Sequence, residues 1–337
     1  MDKKLIHAVA GSGKTRTIID SLNTNDRTAI ITYTTANQEE LKRRVIKRFG
    51  RIPDNIHIFG LFQFLYNFCI RPTGLYSETK GFILSTPPKK TKYYSNPYTN
   101  GKYFLSNMLS KFLIDKKEET NYLDRIQTFF DCIYIDEVQD ITSYDFDWIL
   151  TLIEADVSLY YLGDFYQKTF FSSRNGKKGS AVHSDYYKWQ SEFSKKGFVI
   201  DNKTLLNSHR CPASICDFIY SNMGIPIVSN KSEYYEVREI IDSNEINSIM
   251  KNGSIKKLFY QRHYSYDCNS QNWGDSKGLE FENVCVILNN TTYKNYKSNS
   301  LSMLASSTKS KFYVACTRTL GNLYFIEEKK VASYKII

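Results

Sequence analysis

Short apolar runs rich in β-forming residues recur along the chain, and most of them are continuous instead of alternating with polar positions. Continuous runs of this kind are typical of strands buried on both faces of a parallel sheet. They lie at residues 4–10, 28–33, 132–136, 157–163, 197–201, 283–289 and 322–327. Apolar positions with helical spacing separate several of them, at residues 14–22, 38–49, 145–154 and 212–221. The alternation predicts βαβ units and an α/β fold built on parallel sheets.

The chain is long enough for two cores. Its 337 residues exceed one ordinary domain and fit two domains of roughly 150 residues each. We therefore expect two tandem domains, at residues 1–200 and 201–337.

Two segments interrupt the alternation of strands and helices. Residues 85–103 contain Pro-Pro, Asn-Pro and Asn-Gly pairs, which are typical of loops, within a small and mostly helical insertion at about 70–130. Residues 222–265 are polar with modest apolar spacing. We interpret both segments as candidate insertions on the two main sheets.

Composition indicates a globular protein with no membrane partner. Hydrophobic residues make up 42% and charged residues 24% of the chain, and no run approaches the roughly 20 apolar residues that a membrane span needs. The first residues show no signal peptide, so we expect a cytoplasmic protein. The seven cysteines form no C-x-x-C pair, which favours scattered reduced thiols over a metal site.

The charge balance favours a polyanionic partner. A formal net charge of +10 and a pI near 9.0 suit a protein that neutralises the phosphates of nucleic acid. A basic surface that serves only solubility is the alternative at this stage.

The stretch HAVAGSGKTRTI, at residues 7–18, has the character of a phosphate-binding loop. Gly11 and Gly13 remove side chains that would keep backbone N–H groups away from phosphate oxygens. Lys14 and Thr15 would open a helix whose N-terminus attracts anions. The strict pattern has a glycine where this chain has Ala8, so a chance glycine turn stays open for this stretch taken alone.

A second motif supplies the acids that such a loop requires. Residues 133–137 read IYIDE, an apolar strand that ends in two carboxylates. Asp136 at the strand end is placed to hold Mg²⁺ through its waters, and Glu137 to polarise an attacking water. The alternative reading is a solvated acidic strand end.

In these two motifs the sequence resembles superfamily 1 helicases of the UvrD/Rep/PcrA type. AGSGKTR at Ala10–Arg16 is similar to their motif I, and DEVQD at Asp136–Asp140 to their motif II. The other motifs follow in the usual order: ITYTT (Ia, 31–35), GLFQF (Ib, 60–64), LGD with Gln167 (III, 162–167), LNSHR (IV, 206–210), SKGLEF (V, 276–281) and FYVACTR (VI, 312–318). The matches run from residue 8 to residue 318.

The resemblance implies two RecA-like domains of the P-loop NTPase class that bind ATP and Mg²⁺ between them. In that family, residues at the matching positions cradle the nucleotide, and here they are Ala10, Gly11, Ser12, Gly13, Lys14, Thr15 and Arg16. It implies that Lys14 contacts the β- and γ-phosphates, that Thr15 and Asp136 hold Mg²⁺, and that Gln167 senses the γ-phosphate. Arg210 and Arg318 would be arginine fingers, and Glu280 would touch the nucleotide sugar.

The same resemblance implies a path for single-stranded nucleic acid. Tyr33 and Phe170 stand where the family has base-stacking aromatic residues, and Thr34 and Phe62 belong to the neighbouring motifs Ia and Ib. For Tyr33, a plain β-forming residue at a strand end is the alternative. In the first insertion, lysines and tyrosines at 89–103 would grip a strand or form a solvated loop: Lys89, Lys90, Lys92, Lys102, Tyr93, Tyr94, Tyr98 and Tyr103.

Several positions depart from the family pattern. No glutamine precedes motif I, and His209 replaces the tyrosine that stacks on adenine, so we expect His209 and Arg16 to clamp the base. After Gln167 the usual aromatic and arginine are Ser172 and Ser173, with Arg174 one position late. Asn272 and Gly274 replace the usual threonine and histidine of motif V. The second accessory domain is missing or rudimentary.

The sequence thus predicts an ATP-dependent translocase or helicase on single-stranded DNA, moving 3′ to 5′ by resemblance, with RNA not excluded. The alternative is a DNA-stimulated ATPase sensor that acts with a separate nuclease or another protein, as short UvrD-like proteins do in some anti-phage systems. A P-loop kinase or transporter ATPase explains neither Gln167 nor Arg318.

Overall fold

The computed structural model describes residues 1–75, 78–84, 97–173 and 178–336. These residues form two compact units that interleave along the chain. The first unit comprises Met1–Ile6, Lys14–Gly163 and Phe170–Asp201, and the second comprises His7–Gly13, Asp164–Thr169 and Asn202–Ile337. Two domains divided near residue 200 remain a prediction.

A six-stranded sheet forms the centre of the first unit. Its strands are β1 (Lys3–Ala8), β2 (Thr28–Thr32), β3 (Ile56–Gly60), β7 (Cys132–Asp136), β8 (Ser158–Gly163) and β9 (Val199–Leu205), in the order β3-β2-β7-β8-β1-β9. The pairs β2–β3, β2–β7 and β7–β8 are parallel. Every residue of β2 and β7 is buried, as the continuous apolar runs predict.

Helices of the first unit follow its strands along the chain. They are α1 (Lys14–Ser21), α2 (Thr35–Phe49), the short α3 (Leu61–Gln63), α4 (Leu109–Asp115), α5 (Lys117–Thr120), α6 (Tyr122–Phe129), α7 (Tyr144–Thr151) and α8 (Tyr186–Lys195), and a π-helix covers Phe64–Ile70. Trp148 of α7 is fully buried, with its ring centroid 5.9 Å from that of Phe64 and 6.4 Å from that of Tyr122.

Capping residues define both ends of helix α2. The hydroxyl of Thr34 accepts a hydrogen bond from the Asn37 N–H at 3.2 Å, which caps the first turn. Gly50, with φ of +78°, ends the helix in the left-handed conformation. Buried Gln38, Leu41 and Val45 define the inward face.

The insertion at 70–130, predicted to be mostly helical, also contains β-strands. Besides α4, α5 and α6, its described part contains a small sheet of β4 (Gly81–Ile83), β5 (Thr99–Asn100) and β6 (Tyr103–Leu105). The sequence prediction of a loop at 85–103 is therefore wrong at β5 and β6. Lys89, Lys90, Lys92, Tyr93 and Tyr94 lie outside the described residues.

The second unit contains a five-stranded sheet in the order β12-β16-β15-β13-β14. The strands are β12 (Val237–Glu239), β13 (Ile255–Phe259), β14 (Ser270–Asn272), β15 (Asn283–Leu288) and β16 (Leu323–Glu327), and all four pairings are parallel. A separate parallel pair joins β10 (Asn207–Ser208) to β11 (Val228–Ser229). The α/β class with parallel sheets is confirmed.

One predicted insertion is instead part of this sheet. Residues 222–265 supply β12 and β13 together with helix α10 (Ser243–Lys251). The polar character of residues 222–265 does not predict strand β13, because Lys257 in the middle of that strand is a charged residue that is fully buried. Its ammonium donates to the carbonyls of Asn252 and Ile255, which satisfies the charge.

Three further helices complete the second unit: α9 (Ala213–Met223), α11 (Asn290–Lys297) and α12 (Ser306–Cys316). Trp273 is fully buried beside Phe312 of α12, and its indole N–H donates to the Leu258 carbonyl at 2.8 Å. The cysteines are all free thiols. Within the described parts of the chain, no helix has the length and apolar character needed to cross a bilayer.

The cap at Thr34 gives a stability test. We expect Thr34→Ala to reduce the free energy of unfolding by about 0.5–2 kcal/mol, because the Asn37 N–H loses its acceptor. Urea unfolding and amide exchange in the first turn of α2 measure the effect. Thr34→Ser keeps an oxygen in place and should match the wild type. Equal stability of the alanine and serine variants would contradict the capping role.

Candidate active site

The phosphate-binding loop lies between the end of β1 at Ala8 and the start of α1 at Lys14. Gly11 and Gly13 have φ of +72° and +90°, a conformation that side-chain-bearing residues rarely adopt. Ser12 between them is buried. The strand–loop–helix arrangement is the context that the glycine pattern requires.

Gly11 also has no room for a side chain. A Cβ atom there would lie 2.5 Å from the Cβ of Arg210 and 2.8 Å from the Oγ of Ser208. The His209 N–H donates to the Gly11 carbonyl at 2.9 Å. Within the second unit, the absence of a side chain at Gly11 therefore lets the motif IV backbone lie directly on the loop.

The loop lysine and the strand-end acid form an ion pair in the first unit. Lys14 Nζ lies 3.6 Å from Glu137 Oε1, and the two side chains are only 10% and 14% exposed. Glu137 has φ of +56° and ψ of +42°, and such strain in a non-glycine residue is concentrated at functional sites. The side-chain amide of Gln139 donates to its other oxygen.

Asp136 and Thr15 present the oxygen donors that a magnesium ion accepts. Asp136 is 3% exposed, and its Oδ1 accepts the Glu137 N–H at 3.0 Å. Thr15 is half-buried in the first turn of α1. One hydroxyl and one carboxylate fit an ion that keeps several waters and shares the phosphates of its substrate.

A buried tyrosine connects three motifs of the second unit. The Tyr313 hydroxyl accepts the Ala10 N–H at 3.0 Å and donates to Asp164 Oδ2 at 3.2 Å. The Gln167 side-chain amide donates to the same carboxylate at 2.8 Å. Burial, together with the charge of Asp164, raises the pKa of Tyr313 well above its ordinary value, so the hydroxyl keeps its proton.

The two predicted arginine fingers have different surroundings. Arg210 donates to Glu280 at 2.6 Å, a pairing that the sequence analysis did not foresee. Arg318 is 1% exposed, and it donates to the carbonyls of Val314 and Leu279. Burial, with the charge of Arg210 nearby, lowers the pKa of Arg318 to about 10, so it stays a cation at neutral pH.

His209 and Arg16, which are predicted to clamp the nucleobase, belong to different units, and each has a partner within its own unit. His209 is exposed, and its Nδ1 lies 3.0 Å from the Asn230 side-chain amide. Arg16 pairs with Asp20 one turn further along α1 at 3.2 Å. The joint role of His209 and Arg16 remains a prediction.

Three of the residues predicted to contact a nucleic acid strand present aromatic surface in the first unit. Tyr33 is half-buried and its hydroxyl donates to the Phe171 carbonyl at 3.4 Å. Phe170 is 39% exposed, and Phe171 beside it is 42% exposed. Phe62 is 38% exposed and packs its ring edge-on against Phe82. Thr34 caps α2, as described above.

The serines that replace the usual motif III residues anchor this aromatic segment. Ser172 donates to Asp145 Oδ2 at 2.7 Å, and Ser110 donates to Asp145 Oδ1 at 2.6 Å. The Thr142 N–H donates to the Ser172 hydroxyl at 3.0 Å. Burial raises the pKa of Asp145, while these hydrogen bonds oppose the rise. Nothing in the local sequence signals this pairing, and Arg174 lies outside the described residues.

The side chain of Asn272 forms hydrogen bonds within its own loop. Its side-chain oxygen accepts the His263 N–H at 3.0 Å, and its side-chain amide donates to Asp275 at 2.7 Å. The departure from the family pattern at this position therefore has a structural use in the second unit.

Comparison with known proteins gives a likeness of fold. No protein-family model and no curated protein matches the chain. A solved structure of the PRRSV helicase is 14% identical with a TM-score of 0.50, over 98% of this chain and 53% of that one. A complex of the arterivirus nonstructural protein 10 helicase with DNA is 16% identical with a TM-score of 0.51, over 96% of this chain and 60% of that one.

The chain thus spans little more than half the length of the helicase chains it matches. At these identities the likeness concerns the fold alone. The fold is that of tandem RecA-like domains with parallel sheets, as found in these helicase structures.

Proposed function

We propose that this protein hydrolyses ATP to move along single-stranded nucleic acid, as a superfamily 1 helicase or translocase of the UvrD-like group. The contact between Lys14 and Glu137 carries the proposal, because it brings the phosphate-binding lysine and the acid that activates water to one edge of the sheet. The two helicase structures with a similar fold support the coarser part of the proposal, a nucleic-acid helicase.

In the proposed reaction, the N–H groups of Gly11, Ser12 and Gly13 hold the phosphates and Lys14 contacts the terminal ones. To do so Lys14 must leave Glu137. Once Lys14 has exchanged its carboxylate partner for phosphate, Glu137 accepts a proton from the attacking water. Thr15 and Asp136 would hold Mg²⁺, which would neutralise charge on the phosphates.

Residues of the second unit have proposed roles of their own, which the family resemblance implies. Arg210 exchanges Glu280 for a phosphate oxygen and, with Arg318, neutralises the charge that develops in the transition state. Gln167, held by Asp164, reports the presence of the γ-phosphate. Glu280 accordingly acts as a holding partner for Arg210 in addition to any contact with the sugar, and His209 with Arg16 clamps the base.

The strand path is proposed to follow the aromatic surface of the first unit, with Tyr33 and Phe170 as stacking platforms and Thr34 and Phe62 beside them. Net charge of +10 supports a nucleic-acid partner. DNA and 3′-to-5′ movement rest on the resemblance, and RNA is the second choice.

A second candidate function is a DNA-stimulated ATPase that senses nucleic acid for a separate nuclease without processive unwinding. Ser172 favours it. Its hydroxyl is hydrogen-bonded to Asp145 and Thr142 at a position where the family resemblance implies an aromatic residue, so this segment offers one stacking side chain fewer.

The role of Glu137 can be tested by separating binding from turnover. Glu137→Gln should reduce ATP turnover by at least about 100-fold, because the general base is lost. Nucleotide affinity, measured with a fluorescent ATP analogue, should stay within a few-fold of the wild type. Gln139→Ala, which removes the amide that donates to Glu137 and keeps the carboxylate, is the matched control and should keep most of the turnover. Loss of ATP binding in Glu137→Gln would contradict the assignment.

The role of Tyr33 can be tested by strand affinity. Tyr33→Ala should weaken single-strand binding by about 1–3 kcal/mol through loss of stacking. Tyr33→Phe removes only the hydrogen bond to Phe171, so its affinity should stay close to that of the wild type. Fluorescence anisotropy with a labelled oligonucleotide measures both. An unchanged affinity of a correctly folded Tyr33→Ala protein would assign Tyr33 to sheet packing alone.

A further inference from the structure

A basic groove runs between helices α1 and α2 of the first unit, away from the residues assigned above except Arg16. Its volume is about 470 Å³. We name it the α1–α2 groove, and its lining consists of Arg16, Ile19, Asp20, Arg43, Arg44, Lys47 and Arg48.

The pattern of α2 explains why the cations share one face. Residues three and four positions apart are neighbours on a helix surface. Leu41 and Val45 are buried, and Arg44, Lys47 and Arg48 form the adjoining row. Each of these cations therefore points along the edge of the buried face, where α1 packs, and they form a continuous stripe.

The stripe carries more charge than its own ion pairs neutralise. Residues 35–51 contain six basic and two acidic side chains, a net charge of +4 out of +10 for the chain. Arg43 and Arg44 share one carboxylate, that of Glu40. Among the residues that the structure describes, neither Lys47 nor Arg48 has a carboxylate within ion-pair distance.

The helix dipoles explain the positions of only some of these cations. Lys47 and Arg48 lie in the last turn of α2, where a cation is favoured by the helix dipole. Arg16 lies in the first turn of α1, where the dipole disfavours a cation. A solvated helix end therefore explains the first two cations but not their convergence with Arg16 on one groove.

We propose that the α1–α2 groove binds the phosphate backbone of double-stranded nucleic acid adjoining the single strand; this inference rests on the proposed function. Single-strand sites combine cations with aromatic platforms, and the groove lining contains five cations, one aspartate, one isoleucine and no aromatic residue. A surface of this composition suits a duplex, whose bases are stacked inside and whose phosphates face outwards.

Helix α2 fixes the distance between the two contacts. Tyr33 and the Thr34 cap lie at its N-terminal end, and Lys47 lies in its last turn. At about 1.5 Å per residue this separation is about 20 Å, which is the length of about six base pairs of DNA. A junction between single strand and duplex would therefore lie alongside α2.

The test uses a triple variant, Arg44→Gln with Lys47→Gln and Arg48→Gln, which spares Arg16. Its control, Lys188→Gln with Lys195→Gln and Lys196→Gln, removes the same charge around α8 in the same unit. Two probes are compared by fluorescence anisotropy over a range of salt concentrations: a 12-nucleotide single strand, and a hairpin duplex that carries the same strand as a tail.

We expect the groove variant to bind the tailed duplex about tenfold or more weakly and to reduce the dependence of log K on log salt by about 2–3, because three phosphate contacts are lost. Its affinity for the 12-nucleotide strand and its ATP turnover with that strand should match the wild type, which also shows that it folds. The control variant should match the wild type on both probes.

Four results would overturn the inference. If the groove variant and the control behave alike on the tailed duplex, the groove serves an acidic protein or no partner, and the proposed function stands. If the wild type binds both probes equally, no duplex contact exists. If the groove variant weakens both probes by the same factor, the groove belongs to the strand path. If the wild type binds neither probe, the proposed function fails as well.

Discussion

The buried hydroxyl of Tyr313 links three segments of the second unit. It bonds the backbone of Ala10 in the phosphate-binding loop and the carboxylate of Asp164 before Gln167, while Tyr313 itself is fully buried in α12. A buried polar group with both partners satisfied fixes a geometry, because breaking either bond leaves an unpaired polar atom in the core. This hydroxyl therefore joins the loop directly to α12.

The absence of a side chain at Gly11 in the same loop determines how closely the backbone at Ser208–Arg210 can approach. Because Gly11 has no side chain, the backbone at Ser208–Arg210 approaches within a distance that no other residue allows. Arg210 is thereby carried to the phosphate-binding loop by its backbone, and Glu280 holds its guanidinium. A parallel arrangement occurs in the first unit, where Glu137 holds Lys14. Two of the three cations that the proposal assigns to phosphate, Lys14 and Arg210, thus have a carboxylate partner to exchange.

The strands with continuous apolar runs, including β15 and β16, were best predicted from the sequence. A local sequence pattern identifies the continuous apolar strands, the glycine loop and the acid pair. Strands β1, β2, β7 and β8 and the start of α1 therefore lie where the sequence predicts them. Strand β13 was missed because a buried lysine reads as polar, and only the carbonyls of Asn252 and Ile255 show how its charge is satisfied. The bonds from Ser110 and Ser172 to Asp145 join residues far apart in sequence, so no local pattern could reveal them.

The most direct test of the account is steady-state ATP turnover of the purified protein, with and without single-stranded DNA, using Lys14→Ala as the blank. The account predicts turnover that depends on Lys14 and rises when the strand is added. Turnover that persists in Lys14→Ala, or that is absent under both conditions, would contradict the assignment of the loop to ATP hydrolysis. Turnover that depends on Lys14 but ignores DNA and RNA alike would contradict the coupling of that site to nucleic acid.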